Sequence, residues 1–151
     1  MEPLDLRSSP PRSPRVQIGG LYMLARTIDR ARASLPGGNP GMYDSVDQGL
    51  SAALFEALGI VPAEFVATVA NADIEENVVA KLRARCADAD FDAINARLAG
   101  ADIRRLPPER RAHIEAKYPP ELLESHPLAF DLLEADDREH YPNHRFATVP
   151  E

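Results

Sequence analysis

Leu21, Leu24, Ile28, Ala31 and Leu35 recur three and four residues apart, the spacing that lays one apolar stripe along a helix. The stripe predicts a helix from roughly Gly20 to Leu35, stopped by the breakers in Pro36-Gly37-Gly38-Asn39-Pro40-Gly41. Ser45 with Gln48 three residues on reads as a capping box for a second helix carrying Val46, Leu50, Ala53, Leu54, Ala57 and Leu58, closed by Gly59 and Pro62. Pro62 suits the first position of a short helix with Phe65, Val66 and Val69. Asp73 with Glu76 is a second capping box, for a helix with Ile74, Val78, Val79, Leu82 and Cys86 inward. Phe91, Ile94 and Leu98 continue the pattern to Gly100. Pro107-Pro108 and Pro119-Pro120 bracket a short polar helix, and Pro127 opens a last one through Leu128, Leu132 and Leu133.

No stretch shows sustained period-two alternation. The fold class read from the chain is therefore all-α, a compact single-domain bundle of six or seven short helices. Before the first helix, Ser8-Ser9-Pro10-Pro11-Arg12-Ser13-Pro14-Arg15 denies the backbone helical donors and predicts an extended segment. Val16 and Ile18 alternate there with Arg15 and Gln17, which suits one packed face. The organisation expected is an extended Pro/Arg-rich segment over 1–18, docked on a helical domain over 19–151.

At 151 residues, with 44% apolar and 27% charged residues, the chain has the composition of one globular domain with a real core. The lone Cys86 excludes an intramolecular disulfide and a Cys-rich zinc module, and its place on an apolar stripe makes it a small buried hydrophobe. Nowhere do eighteen apolar residues run consecutively, and Met1-Glu2-Pro3-Leu4-Asp5-Leu6 lacks the basic start and apolar run of a secretory leader. The expectation is a soluble cytoplasmic protein without a membrane partner.

A net charge of −7 argues against nucleic acid as a partner, since such binding neutralises phosphates. The charge is uneven. Residues 1–36 hold six Arg against three Asp/Glu, whereas 119–151 hold two Arg against eight Asp/Glu. A basic head and an acidic tail can attract each other within one fold.

Two constellations carry the candidate chemistry. Arg26 and Arg30 are four apart on the first helix, with Asp29 between them, and Arg12 and Arg15 arrive from the extended segment just before Gly19-Gly20. Guanidinium forks meeting at a glycine-lined helix N-terminus suit a carboxylate or phosphate. Tyr43 and Asp47 are placed to supply a hydroxyl and a carboxylate. Were chemistry to occur, Asp47 or Asp29 would be the base and Tyr43 the acid. The competing reading makes Arg12 and Arg15 braces to the acidic tail. That tail, Asp131, Glu134, Asp136, Asp137, Glu139, His140 and His144, has the residue types of a metal site but not the spacing, because Pro142 separates the two histidines. No metal is assigned to it, and a counter-surface for the arginines fits it better. No G-x-S-x-G elbow, phosphate-binding P-loop or H-E-x-x-H pair is present.

Asp5-Leu6, Pro10-Pro11-Arg12-Ser13-Pro14-Arg15, Gly19-Gly20, Leu24-Ala25-Arg26 and Asp29-Arg30-Ala31-Arg32-Ala33 resemble, in content and spacing, a bacterial family of unknown function, domain-of-unknown-function family five-zero-six-nine. The likeness continues more loosely through Tyr43, Asp47 and Gly59-Ile60. Asp131-Leu132-Leu133-Glu134-Ala135-Asp136-Asp137 is similar to the acidic ending of some members. Members often carry a cysteine near the position of Ser45, and its absence here removes thiol chemistry from that place. The resemblance implies a fold and a motif surface and transfers no reaction and no cofactor.

Together these features point to a small-molecule-binding protein that recognises an anionic metabolite through Arg12, Arg15, Arg26 and Arg30, with catalysis left open. The alternative is a non-catalytic helical module docking a protein partner or a second copy of itself. A pocket lined by those arginines distinguishes the first reading from the second.

Overall fold

Eight α-helices and one short 3-10 turn succeed one another in a computed structural model that describes residues 1–147. They are α1 (Leu24–Ala33), α2 (Gly49–Leu58), α3 (Pro62–Asn71), α4 (Glu75–Arg85), α5 (Phe91–Ala99), the 3-10 turn Ile103–Arg105, α6 (Pro108–Lys117), α7 (Pro120–Ser125) and α8 (Ala129–His140). The chain is all-α, a compact single-domain bundle, with one helix more than the six or seven the pattern predicts. The addition is α7, where Pro120 is not a stop but the first helical residue. The last four residues of the domain expected over 19–151 lie outside the described residues.

α1 begins at Leu24 rather than at Gly20. Gly19, Gly20 and Met23 hold φ of 59°, 82° and 65°, a left-handed entry that the helix cannot include. At Gly19 a Cβ would lie 2.6 Å from Val79 Cγ1, so the turn packs against α4 only as glycine. The Met23 N–H donates to Pro14 O at 2.9 Å and ties the extended segment to the helix entrance. That segment contains no helix up to residue 18, and its Leu6 is buried.

The capping box expected at Ser45 and Gln48 does not form. Ser45 Oγ donates to Asp47, and α2 starts later, at Gly49, with Gln48 in the cap position. At α4 the cap is Ile74, whose N–H is accepted by Asn77 Oδ1 at 3.3 Å. Ile74 therefore precedes the helical period and faces outward, 54% exposed, where the stripe predicts it inward.

The larger core gathers Leu24, Ile28, Leu54, Phe55, Phe65, Val69 and Val78 from the first four helices. The Phe55 and Phe65 rings lie 5.0 Å apart. A smaller cluster holds Ile103, Tyr118, Leu122, Leu132 and Ala135. α8 serves both, giving Phe130 to the first and Leu132 and Ala135 to the second. Asp131, Glu134 and Asp137 are thereby fixed between two cores, facing the N-terminal segment and α1. Among the described residues no single helix is long and apolar enough to cross a membrane.

Candidate functional site

Arg26 lies on the inward side of α1 and Asp137 on the inward side of α8. Each side chain is 2% exposed. Nη1 donates to Asp137 Oδ2 at 2.7 Å and Nη2 to Oδ1 at 3.2 Å, the parallel two-point geometry that suits a guanidinium and a carboxylate. Tyr43 Oη donates to the same Oδ1 at 2.7 Å, and its ring lies under the Arg26 guanidinium at 5.5 Å. Burial works against the Arg26 charge. The hydrogen bonds and charge of Asp137 outweigh it and hold the guanidinium more firmly protonated than in water. Burial beside the Asp137 carboxylate pushes the Tyr43 hydroxyl well above the ordinary tyrosine range, so it is a hydrogen-bond donor there and not a proton source.

Arg12 and Arg15 carry the extended segment onto the helices. The Arg12 backbone N–H and Nε donate to Asp29 Oδ2 at 2.8 and 3.0 Å, and Nη2 donates to Asp29 Oδ1 at 2.9 Å. The same guanidinium also reaches Glu75 on α4. Arg15 bridges two carboxylates of α8, Nη1 to Glu134 Oε2 and Nη2 to Asp131 Oδ1, both at 2.6 Å. Its guanidinium sits 5.6 Å from the centre of the Phe130 ring.

The four arginines thus do not converge on one external anion. Arg12, Arg15 and Arg26 each close on a different set of the protein's own acids, because a carboxylate already within reach is the nearest fork-shaped acceptor. Asp29, considered as a base, has both oxygens occupied by Arg12. Asp47 is exposed on the turn before α2 and accepts from Ser45. The Gly19-Gly20 pair does not line the N-terminus of α1, which starts four residues beyond Gly20.

Arg30 differs from the other three. Nε and Nη2 donate to the Asp44 carbonyl at 3.3 and 2.8 Å, Nη2 also donates to the Ser45 carbonyl at 2.6 Å, and Nη1 donates to Ser51 Oγ at 2.8 Å. All these acceptors are neutral, and among the described residues no carboxylate pairs with it. A guanidinium carries five N–H groups. One N–H on Nη1 remains without an acceptor among the described residues. Burial, and repulsion from Arg26, draw the Arg30 pKa down to about 10.

Beside this centre lie two groups that sequence reasoning did not single out as a pair. Asp136, next to Asp137 on α8, is 6% exposed, and Tyr118, just past the end of α6, is 8% exposed. His140 Nδ1 stands 3.4 Å from Asp136 Oδ1, but its hydrogen bond runs to the Asp136 backbone carbonyl at 2.9 Å. Burial raises the Asp136 carboxyl above the ordinary carboxylate range despite the pull of His140, Lys117 and Arg26, and burial together with the Asp136 charge pushes the Tyr118 hydroxyl up to about 12. Lys117 Nζ lies 5.5 Å from the Tyr118 ring centre and pairs with Asp44, whose carbonyl Arg30 holds. The lone tyrosine after a polar helix offered no periodic signal. The adjacency Asp136-Asp137 read only as an acidic helix end.

Among the described residues no three His, Cys, Asp or Glu side chains converge as metal ligands. Two open surface grooves, of about 260 and 490 Å3, are lined by none of Arg12, Arg15, Arg26 and Arg30. The first lies at Gly20, Arg83 and Phe91, the second between α3 and α4.

No curated protein matches the chain significantly. The family described as Domain of unknown function (DUF5069) matches residues 8–139, a span that includes every arginine and carboxylate of the polar network between the N-terminal segment, α1, α4 and α8. With most of its length matched, the chain belongs to the DUF5069 family.

Proposed function

We propose that the protein binds a small anionic molecule, a carboxylate or phosphate, and that Arg30 is the anchor. One observation carries this reading: Arg30 is a half-buried guanidinium neutralised by no carboxylate and retaining an N–H without an acceptor among the described residues. A partly desolvated cation gains more from an incoming anion than an exposed one does, because the effective dielectric around it is lower. Arg12, Arg15 and Arg26 act in this account as structural braces that hold the N-terminal segment, α1, α4 and α8 together. Tyr43 orients Asp137 by hydrogen bonding. Thermal melts in inorganic phosphate and in acetate, against sodium chloride at equal ionic strength, test the reading. Wild type and Arg15→Gln gain stability from phosphate or acetate, and Arg30→Gln loses that gain. An equal gain in Arg30→Gln, or no gain in wild type, contradicts it.

A second reading, a non-catalytic docking module, is favoured by the groove of about 490 Å3 between α3 and α4. It runs beside Ala72, Ala80 and Ala84 and adjoins the exposed Ile74. Small side chains there leave room for a partner's side chains. A concentration-dependent mass in light scattering, abolished by Ile74→Glu, supports self-association through this groove. A constant monomer mass removes the self-docking form of this reading.

A further inference from the structure

We propose that the groove between the Gly19-Gly20 turn and the junction of α4 with α5 binds a free α-amino acid with an apolar side chain. The groove holds about 260 Å3, and Gly20, Arg83, Ala87, Ala89, Phe91 and Asp92 line it. Its floor depends on a missing side chain. A Cβ at Gly20 would lie 3.0 Å from Arg83 Nη2 and 3.8 Å from Phe91 Cδ2, so any larger residue there would enter the groove. Asn95 fixes the turn: its Nδ2 donates to the Gly20 carbonyl at 2.8 Å, and its Oδ1 accepts from the Tyr22 N–H at 2.9 Å.

Two opposite charges line this one groove without closing on each other. Arg83 Nη2 donates to the Gly19 carbonyl at 2.6 Å, and the guanidinium lies 4.9 Å from the centre of the Phe91 ring, which holds it in place. One of its five N–H groups is thereby used, and the rest have no acceptor among the described residues. Asp92 stands in the first turn of α5. Among the described residues neither Arg83 nor Asp92 enters an ion pair, although Arg85, two residues along α4 and also exposed, pairs with Glu64 at 3.0 Å.

These charges select the ligand. A guanidinium already held in place offers its fork to a carboxylate with little ordering left to do. Asp92 offers acceptors to an ammonium. An anion alone would meet Asp88, Asp90 and Asp92, close together in the chain, beside a single guanidinium. A cation alone would meet Arg83. A molecule with carboxylate and ammonium on one carbon satisfies both, and Ala87, Ala89 and Phe91 give its side chain an apolar wall. None of Arg12, Arg15, Arg26 and Arg30 lines this groove, so the proposal stands apart from the Arg30 reading.

The test follows the backbone amides of Gly20, Ala87 and Phe91 by NMR in the 15N-labelled full chain. The titrants are L-leucine, 4-methylpentanoate, 3-methylbutylammonium and inorganic phosphate at equal ionic strength. L-Leucine is expected to move these signals saturably. 4-Methylpentanoate lacks the ammonium and 3-methylbutylammonium the carboxylate, so each should bind about tenfold more weakly or worse, the loss of one charge-assisted contact. Arg83→Gln and Asp92→Asn, both at exposed positions where the fold tolerates change, should each weaken L-leucine by a similar factor. No saturable shift with L-leucine in wild type overturns the proposal. Equal affinity for either half of the ligand, or an unchanged titration in either variant, overturns it as well. Phosphate is expected to leave these amides unmoved, and a saturable phosphate shift there would make the groove an anion site and overturn the choice of an amino acid.

Discussion

Arg26 and Asp137 stand 111 residues apart in the chain and meet as a two-point ion pair inside the bundle. The pair fastens α1 to α8, and Tyr43 completes it from the turn before α2. Its burial decides its energetics. Both charges have left water, so their mutual attraction roughly offsets the cost of desolvation, while removing one partner strands the other.

Arg26→Met or Asp137→Asn is therefore expected to lower the unfolding free energy by about 3–5 kcal/mol. The double replacement Arg26→Met with Asp137→Asn should cost clearly less than the two single changes together. Urea unfolding of all four proteins checks this, and additive losses would show that the two residues do not act as a pair.

Leu6 and Arg15 hold the extended segment in different ways, Leu6 by burial and Arg15 by a partly exposed ion pair. Arg15 and Asp131 are about a third and two-fifths exposed, so Arg15→Ala should cost no more than about 1 kcal/mol. Leu6 is buried, and Leu6→Ala should cost about 2–5 kcal/mol. Equal losses from the two substitutions in chemical denaturation would reverse that ranking.

The helices were legible because burial imposes its period on the sequence. Leu24, Ile28, Leu54, Phe65, Val69, Val78 and Leu98 are all inside, as their spacing requires. The helix ends were less legible, since caps depend on local competition. Asp47 takes the Ser45 hydroxyl that a capping box would use, and the left-handed turn through Gly19, Gly20 and Met23 delays α1. The arginines were legible as a set, but their partners were not. Which carboxylate each one meets depends on how α8 returns to α1 more than 100 residues later, and no local pattern encodes that. Asp136 and Tyr118 come together only through the same long-range packing.

Two aspartates should carry opposite pH signatures. Burial raises the folded pKa of Asp136 above the ordinary aspartate value of 3.8, so its contribution is fully present below that value and is lost as pH rises through the folded pKa. Asp136→Asn should thus melt higher than wild type at pH 7, with the gap closing towards pH 4. Asp44 is lowered, first by the Lys117 hydrogen bond, so its contribution is present above 3.8 and lost as pH falls through its lower value. Asp44→Asn should melt lower than wild type at pH 7. Melting curves from pH 2 to 7 check both signs.

α6 contributes no buried residue and runs between two Pro-Pro pairs, held by Ile114, Tyr118 and the exposed Lys117–Asp44 contact. Local opening costs least where few apolar contacts are lost. Amides of residues 109–117 should exchange with deuterium well before those of α1, and Lys117→Ala should speed them further. Protection of α6 equal to that of α1 would contradict this.

The central claim is that Arg30, alone of the four arginines, is open to an anion. The most direct measurement follows the arginine Nε–Hε signals of 15N-labelled protein by NMR during titration with inorganic phosphate. The account predicts a saturable shift of the Arg30 signal, with those of Arg12, Arg15 and Arg26 unmoved because their guanidinium groups stay on Asp29, Glu134 and Asp137. An unmoved Arg30 signal, or equal movement of all four, would contradict it.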